Sequence, residues 1–508
     1  MLTSRTLRWA GFAGALLLFA AGLLGGALPA TGVHHLPVIV LWLTGTGLMG
    51  YAWWAGRERE HSVRWVLGTI ALWTAPFLFL PPVGSRDFYS YSCQGELYAQ
   101  GLSPYSATAE TLPCTWLDAV PPIWQDTVTP YGPLFVVLAG AIVAAGKALP
   151  VAPAIADALP PRLGSLLLPL VLFRLVALAG VLAMAAGLPA LARRCGVPPA
   201  RALWLALAGP LVGAHLLGGP HNDAVMLGLL VGGLAVPVRF PRRAVATVAG
   251  GVLLGGAVAV KASALIAVPF AVLIVAGARA AGRRIGLRDL VAGTAGVAVP
   301  AVATLGGITV LAGLDFGWVA GLRDSEALVQ FTSMPTAVGM TVTYAGQLFD
   351  RGFDAVPAVR SVAFVLLAVV LVVIWVRSAR DRVDPVRAAL TGAAAAMVAT
   401  VALAPVFLPW YTLWPLTLLA VTAPGTRAML LIAIGAAFSV LPDGSGLVRH
   451  LKFPGALLVT GYLVYLGVRR LRRPARDRRR QPPSEAEPST RVTLTSMTTR
   501  AGLGRGVR

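Results

Sequence analysis

Long apolar runs separated by short polar turns repeat along nearly the whole chain, and their length selects helices that cross a bilayer over strands or soluble helices. Such runs lie near 9–29, 36–54, 64–82, 165–190, 201–217, 222–238, 244–260, 262–278, 288–312, 360–376, 387–405, 409–421, 427–441 and 453–468. Several are too short to span without tilt adjustments or neighbours. The pattern predicts an all-α protein, a polytopic transmembrane helical bundle of about 14 spans. One polar, aromatic-rich stretch, from Gly84 to Pro130, breaks the rhythm.

Charge orients the bundle. With Arg5 and Arg8 on the cytoplasmic side, the alternating turns put most of the 42 Lys and Arg on that side and most of the 21 Asp and Glu on the other, as the positive-inside rule demands. The apolar run 132–149 must then not count as a span, since counting it would move Arg193, Arg194 and Arg201 outside. It is read as a helix lying at or dipping into the outer surface. The expected organisation is N-terminal spans (1–83), a large first extracytoplasmic loop with juxtamembrane helices (84–164), a transmembrane core (165–313), a second extracytoplasmic loop (314–359), C-terminal spans (360–470) and a basic cytoplasmic tail (471–508). Both termini fall on the cytoplasmic side.

Composition agrees with a chain solvated mostly by lipid: 57% hydrophobic, 12% charged and a mean hydropathy of +0.75 exclude an ordinary soluble domain. A pI near 11.2 raises nucleic-acid binding, but the basic residues sit in short turns and the tail instead of one folded groove, so they set topology and meet anionic headgroups. The first run resembles a signal peptide, yet LPA at 28–30 is a poor cleavage site and a second span follows at once, so an uncleaved anchor is expected. The tail from Pro474, with RRPARDRRRQPPSEAEPSTR around its start, lacks apolar periodicity and is expected to be disordered. No strong internal repeat is present.

Cys93 and Cys114 both fall in the large outer loop, where a disulfide is permitted, and a bridge is predicted there; two unpaired small residues are the alternative. Cys195 falls in a cytoplasmic turn. No zinc-type spacing occurs.

The loop carries the candidate chemistry. Asp87 follows the third span by a few residues, so its carboxylate should sit at the membrane surface, able to deprotonate a hydroxyl presented from outside; a helix cap is its structural alternative. Asp126 is the reserve candidate. The loop aromatics, Phe88, Tyr89, Tyr91, Tyr98, Tyr105, Trp116, Trp124 and Tyr131, suit sugars and suit a membrane interface equally well. His221, Asn222 and Asp223 follow a Gly-Gly-Pro breaker at an outer turn, where polar groups are costly and bind metal or phosphate, orient a catalytic group or cap the next helix. Lys261 interrupts VAVKASALIAVPF at another outer turn, against the positive-inside trend; a phosphate explains it, and so does snorkelling. Arg174 lies about nine residues inside its span and is expected to pair with a carboxylate or phosphate. Trp410 and Tyr411 open a further span at the outer side, lining the same site or forming an aromatic belt.

Taken in order, SRDFYSY, QGELYAQGLSPY, IWQDTVTPYGPLF, GGPHNDAVM, VKASALIAVPF and LPWYTLW resemble the actinobacterial polyprenol-phosphate-mannose-dependent α-1,6-mannosyltransferases, of the GT-C class of membrane glycosyltransferases. The resemblance runs from about residue 84 to 415. It implies transfer of mannose from polyprenyl-phosphate mannose to the 6-hydroxyl of a mannosylated glycolipid acceptor, building the backbone of lipomannan and lipoarabinomannan. It also implies an acidic catalytic residue in the first extracytoplasmic loop, which falls on Asp87.

A single in-line displacement with inversion needs one base, Asp87, and a stabilised leaving group, held by Lys261 with help from His221 or Arg174. Tyr89, Gln94, Trp124, Tyr131, Asn222, Asp223, Trp410 and Tyr411 are the substrate-binding candidates. No cofactor is assigned with certainty, and a divalent metal is possible but not required, because Lys261, His221 and Arg174 can supply the positive charge and no DxD-type pair stands near Asp87. The competing classes are a transporter or flippase of lipid-linked substrate, which leaves the long loop without a role, and a polymer ligase using a lipid-pyrophosphate sugar, which the donor consumed would distinguish.

Overall fold

Breakers, more than hydropathy, decide where the helices stop. The computed structural model describes residues 3–27, 36–112, 114–149, 161–240, 243–324, 327–422 and 427–472, with only the backbone at 161–163, 165 and 449. The expected tail and the LPA site lie outside the described residues, apart from the tail's first two positions. Among the described residues every regular element is helical.

Among the described residues seven helices are long and apolar enough to cross a membrane, or eight if the bent pair Pro199–Leu207 and Val212–Gly218 counts as one span. The fourteen expected runs all contain helix, and seven or eight of them hold a helix that is itself long and apolar enough to cross. Pro, Gly and polar residues cut the rest short. Val63–Thr74 passes into a 3-10 turn at Ala75-Pro76, and the run through 201–217 bends by 68° at Gly209-Pro210 before continuing as a π-helix. The segment 132–149 forms Pro133–Ala148, too short at 16 residues to cross unaided.

Residues Met1–Thr460 form one unit and Gly461–Arg508 a second. In the first unit, Ser4–Gly25 packs against Leu36–Gly56, Pro161–Arg194 against Asp223–Arg239, and Asp223–Arg239 against Ala244–Val260. The helices Leu287–Leu311 and Val356–Ala379 are only 17% buried in their most apolar windows, the exposure expected of helices facing lipid.

Ion pairs tie the turns around the N-terminal end: Arg194 grips Asp384 with two bonds of 2.6 and 2.8 Å and Arg427 meets Glu58 at 2.6 Å. There Trp53 and Trp204 each donate an indole N–H to the other's carbonyl, both at 2.9 Å. The opposite end receives the loop helix Asp87–Ala99, which is stapled to the following stretch by the Cys93–Cys114 disulfide, Cα atoms 5.4 Å apart. Glu96 adds a second tie, accepting from Lys147 at 2.7 Å and from the Thr115 N–H at 3.3 Å.

Candidate active site

Asp87 is the first residue of the loop helix, so its charge faces the helix N-terminus where a carboxylate is favoured. Its backbone N–H donates to Ser85 Oγ at 3.0 Å. The side chain, 19% exposed, turns to His221, whose Nδ1 lies 3.4 Å from Oδ2. The Tyr91 hydroxyl reaches both, donating to Asp87 Oδ2 at 3.5 Å and standing 3.5 Å from His221 Nδ1. Burial raises the Asp87 pKa to about 6, against the pull of the Ser85 contact and the Lys261 charge. Near neutral pH such a carboxylate is ionised yet basic enough to take a proton.

The approach to Asp87 is set by Gly84. Its φ of +71° suits glycine, and a Cβ there would meet the His215 ring at 3.0 Å. Gly84 N–H donates to the Pro442 carbonyl at 2.8 Å, and Arg86 Nε to the Asp443 carbonyl at 3.3 Å. A C-terminal turn therefore fixes the start of the loop helix.

A second group of residues assembles around Lys261. The helix Ala244–Val260 ends at Lys261 in extended backbone, which points the ammonium at Asp223 Oδ2, 2.8 Å away, and at Asn222 Oδ1, 3.5 Å away. Asn222 occupies the N-cap position of Asp223–Arg239 but makes no capping bond. Trp414 Nε1 donates to the other Asp223 oxygen at 2.6 Å. Rings enclose the ammonium: the centroids of Tyr411, Trp414 and Tyr131 lie 5.1, 5.4 and 5.8 Å from Nζ, within cation–π range. Tyr131 reaches this place because Gly132 lies against Ala259, where a Cβ would run into the carbonyl oxygen.

Trp410 joins the two groups. Its ring sits 4.0 Å from His221 and 5.2 Å from His215. Four buried polar atoms here have no partner: Trp410 Nε1, His221 Nε2, His215 Nδ1 and Asn222 Nδ2. Burial foremost, and then His215 and Lys261, push the His221 pKa well down, so its imidazole is neutral.

The fold thus gathers Asp87, His221, Asn222, Asp223, Lys261, Tyr131, Trp410 and Tyr411 from five separate stretches. Arg174 requires a correction. It is buried, but its guanidinium donates to four backbone carbonyls, of Leu217, Leu78, Pro81 and Gly218, at 3.0–3.2 Å, and meets neither the expected carboxylate nor an open phosphate site. The breakers that end the neighbouring helices leave those carbonyls without helical donors, and Arg174 supplies them. Tyr89 also faces elsewhere, its hydroxyl donating to the Ala27 carbonyl. Trp124 packs on the apolar core, Gln94 is half-buried two turns beyond Asp87, and Asp126 is exposed. Among the described residues no group of three or more His, Cys, Asp or Glu is placed to hold a metal ion.

The sequence marks Tyr91 only as one of the loop aromatics and gives no site role to Trp414 or His215. The spacing of Trp410 and Trp414, four apart at the start of a helix, was an available signal for a shared face.

Residues 8–277 match the family described as alpha-(1->6)-mannopyranosyltransferase, N-terminal domain, and residues 335–469 match the MptB C-terminal domain. The chain belongs to the alpha-(1->6)-mannopyranosyltransferase family. It is 35% identical over 489 residues to alpha-(1->6)-mannopyranosyltransferase A of Mycobacterium tuberculosis, covering 90% of this chain and 89% of that one. Identity to the A enzyme of Corynebacterium glutamicum is 31% over 73% of both chains. To the B enzyme of the same organism it is 30%, over 86% of this chain and 73% of the relative. No solved structure matches. Family membership and the apolar helices make this a membrane-embedded mannosyltransferase, and the cluster at Asp87 and Lys261 its candidate active site.

Proposed function

We propose that the protein moves mannose from polyprenyl-phosphate mannose to the 6-hydroxyl of an α-1,6-mannan glycolipid, at the extracytoplasmic face of the cell membrane, and so extends the lipomannan and lipoarabinomannan backbone. The observation that carries this reading is the placement of a half-buried, basic carboxylate near a caged lysine at one end of an apolar bundle.

Asp87 takes the proton from the acceptor 6-hydroxyl as its oxygen attacks the anomeric carbon. The bond from that carbon to the phosphate oxygen breaks on the opposite face, and the lipid phosphate leaves with the electron pair. A β-linked donor then gives an α-linked product by inversion. Negative charge grows on the leaving phosphate, and Lys261 meets it with an ammonium already held in place by Asp223 and Trp414. Trp410 Nε1 and Asn222 Nδ2, both buried donors without a partner, supply hydrogen bonds to the phosphate or sugar oxygens at no cost in broken protein contacts. The bilayer delivers the donor lipid and the loop aromatics meet the sugars. Charge from Lys261 makes a metal dispensable.

The test compares donors. Membranes carrying the protein are given polyprenyl-phosphate mannose, a nucleotide-linked mannose or a lipid-pyrophosphate mannose, each with a short α-1,6-linked mannoside. The reading expects transfer from the first alone; turnover of the pyrophosphate donor alone identifies a ligase instead.

A further inference from the structure

His221 stands where two demands meet. One ring nitrogen, Nδ1, faces Asp87 Oδ2 at 3.4 Å, and the other, Nε2, is buried with no partner. The residue is fully buried and its plane is fixed by Trp410 at 4.0 Å. A carboxylate can only accept, so a neutral imidazole beside it carries its proton on Nδ1 and donates. The Tyr91 hydroxyl donates to the same oxygen. Long contacts of 3.4–3.5 Å are of the kind that tighten in a Michaelis complex.

That tautomer leaves a lone pair on Nε2. A phosphate oxygen also offers only lone pairs and is repelled there, whereas a sugar hydroxyl donates to it. We propose that His221 is a positioning and specificity residue which orients Asp87 through Nδ1 and accepts a sugar hydroxyl through Nε2. This rests on Asp87 being the base, and it moves His221 from the phosphate to the sugar. The hydroxyl comes from the donor mannose or the acceptor mannoside. Engagement of either sugar then holds the imidazole, and with it the base, in the attacking geometry, linking recognition to proton removal.

Two substitutions separate the ring nitrogens. His221→Asn keeps an amide donor near Nδ1 and removes the atom at Nε2; His221→Gln keeps a polar group near Nε2 and abandons Nδ1. With radiolabelled polyprenyl-phosphate mannose and a short α-1,6-mannoside, the Asn variant should raise one KM about tenfold, the worth of one hydrogen bond, and leave kcat within about threefold. The Gln variant should lower kcat about tenfold or more with both KM values near wild type. Which KM rises, donor or acceptor, identifies the sugar that is read. A merely structural histidine would give equal kcat and KM changes in both variants together with a lower melting temperature, and that result overturns the inference. Asp87→Asn assayed alongside separates the two failures. Full turnover there removes the base and this inference with it, while an inactive Asp87→Asn with no split between the His221 variants overturns the inference alone.

Discussion

Lys261 and Asp223 form a 2.8 Å ion pair whose side chains are 12% and 0% exposed, placed in a ring of aromatics at the end of a helix. Removing one partner of a buried pair leaves a desolvated charge, at a cost of about 3–5 kcal/mol. Asp223→Ala should therefore unfold readily, and Lys261→Met nearly so. The paired substitution Lys261→Met with Asp223→Leu should recover most of the stability without recovering transfer, because the phosphate loses its cation. Melting temperature and mannosyl transfer of the three variants, measured in the same detergent, check this. Transfer by the stable double variant would remove Lys261 from the reaction.

Asp87 gives a pH dependence of defined sign. Its folded pKa of about 6 lies above the usual 3.8, so ionising it in the folded protein costs free energy. That cost is absent below about pH 4 and complete above about pH 6, on the order of 3 kcal/mol. Activity needs the ionised form, so kcat/KM should climb about tenfold per pH unit up to about pH 6 and then level. Asp87→Asn should melt higher than wild type at pH 7.5, with the difference vanishing near pH 4. A lower melting temperature for the variant at pH 7.5 would mean that Asp87 serves the helix as a cap more than it serves chemistry.

Arg174 tests whether a buried cation binds donor or holds the bundle. Arg174→Met leaves four carbonyls unsatisfied, each worth about 1–3 kcal/mol when buried. A large fall in folded yield is expected, with the donor KM of the surviving folded fraction unchanged. A raised donor KM in well-folded protein would return Arg174 to the phosphate.

Much of this site was legible in the chain because polar residues at span ends are expensive and few. The His221 to Asp223 turn and Lys261 stood out by that cost, Asp87 by its place just after a span, and Trp410 as an aromatic at a span's outer end. Their convergence could not, since Lys261 and Asp223 are brought together by helix ends and Trp414 reaches Asp223 from far along the chain. Arg174 misled for the same physical reason that revealed the others: a buried charge announces a need for partners without saying whether those are ligands or carbonyls freed by Pro81 and Gly218. Helix lengths were less legible than the apolar runs themselves, because a run of apolar residues reports solvent, whereas helix length is set by breakers such as Gly209-Pro210 inside it.

The central claim is that Asp87 is the base of a mannosyl transfer. Its most direct measurement is mannose incorporation from radiolabelled polyprenyl-phosphate mannose into a short α-1,6-linked mannoside by wild type and by Asp87→Asn, in membranes matched for folded protein. Transfer by wild type and a loss of at least about a hundredfold in the variant is the predicted result. Undiminished transfer by a well-folded Asp87→Asn protein would contradict it and send the search for the base to Asp126.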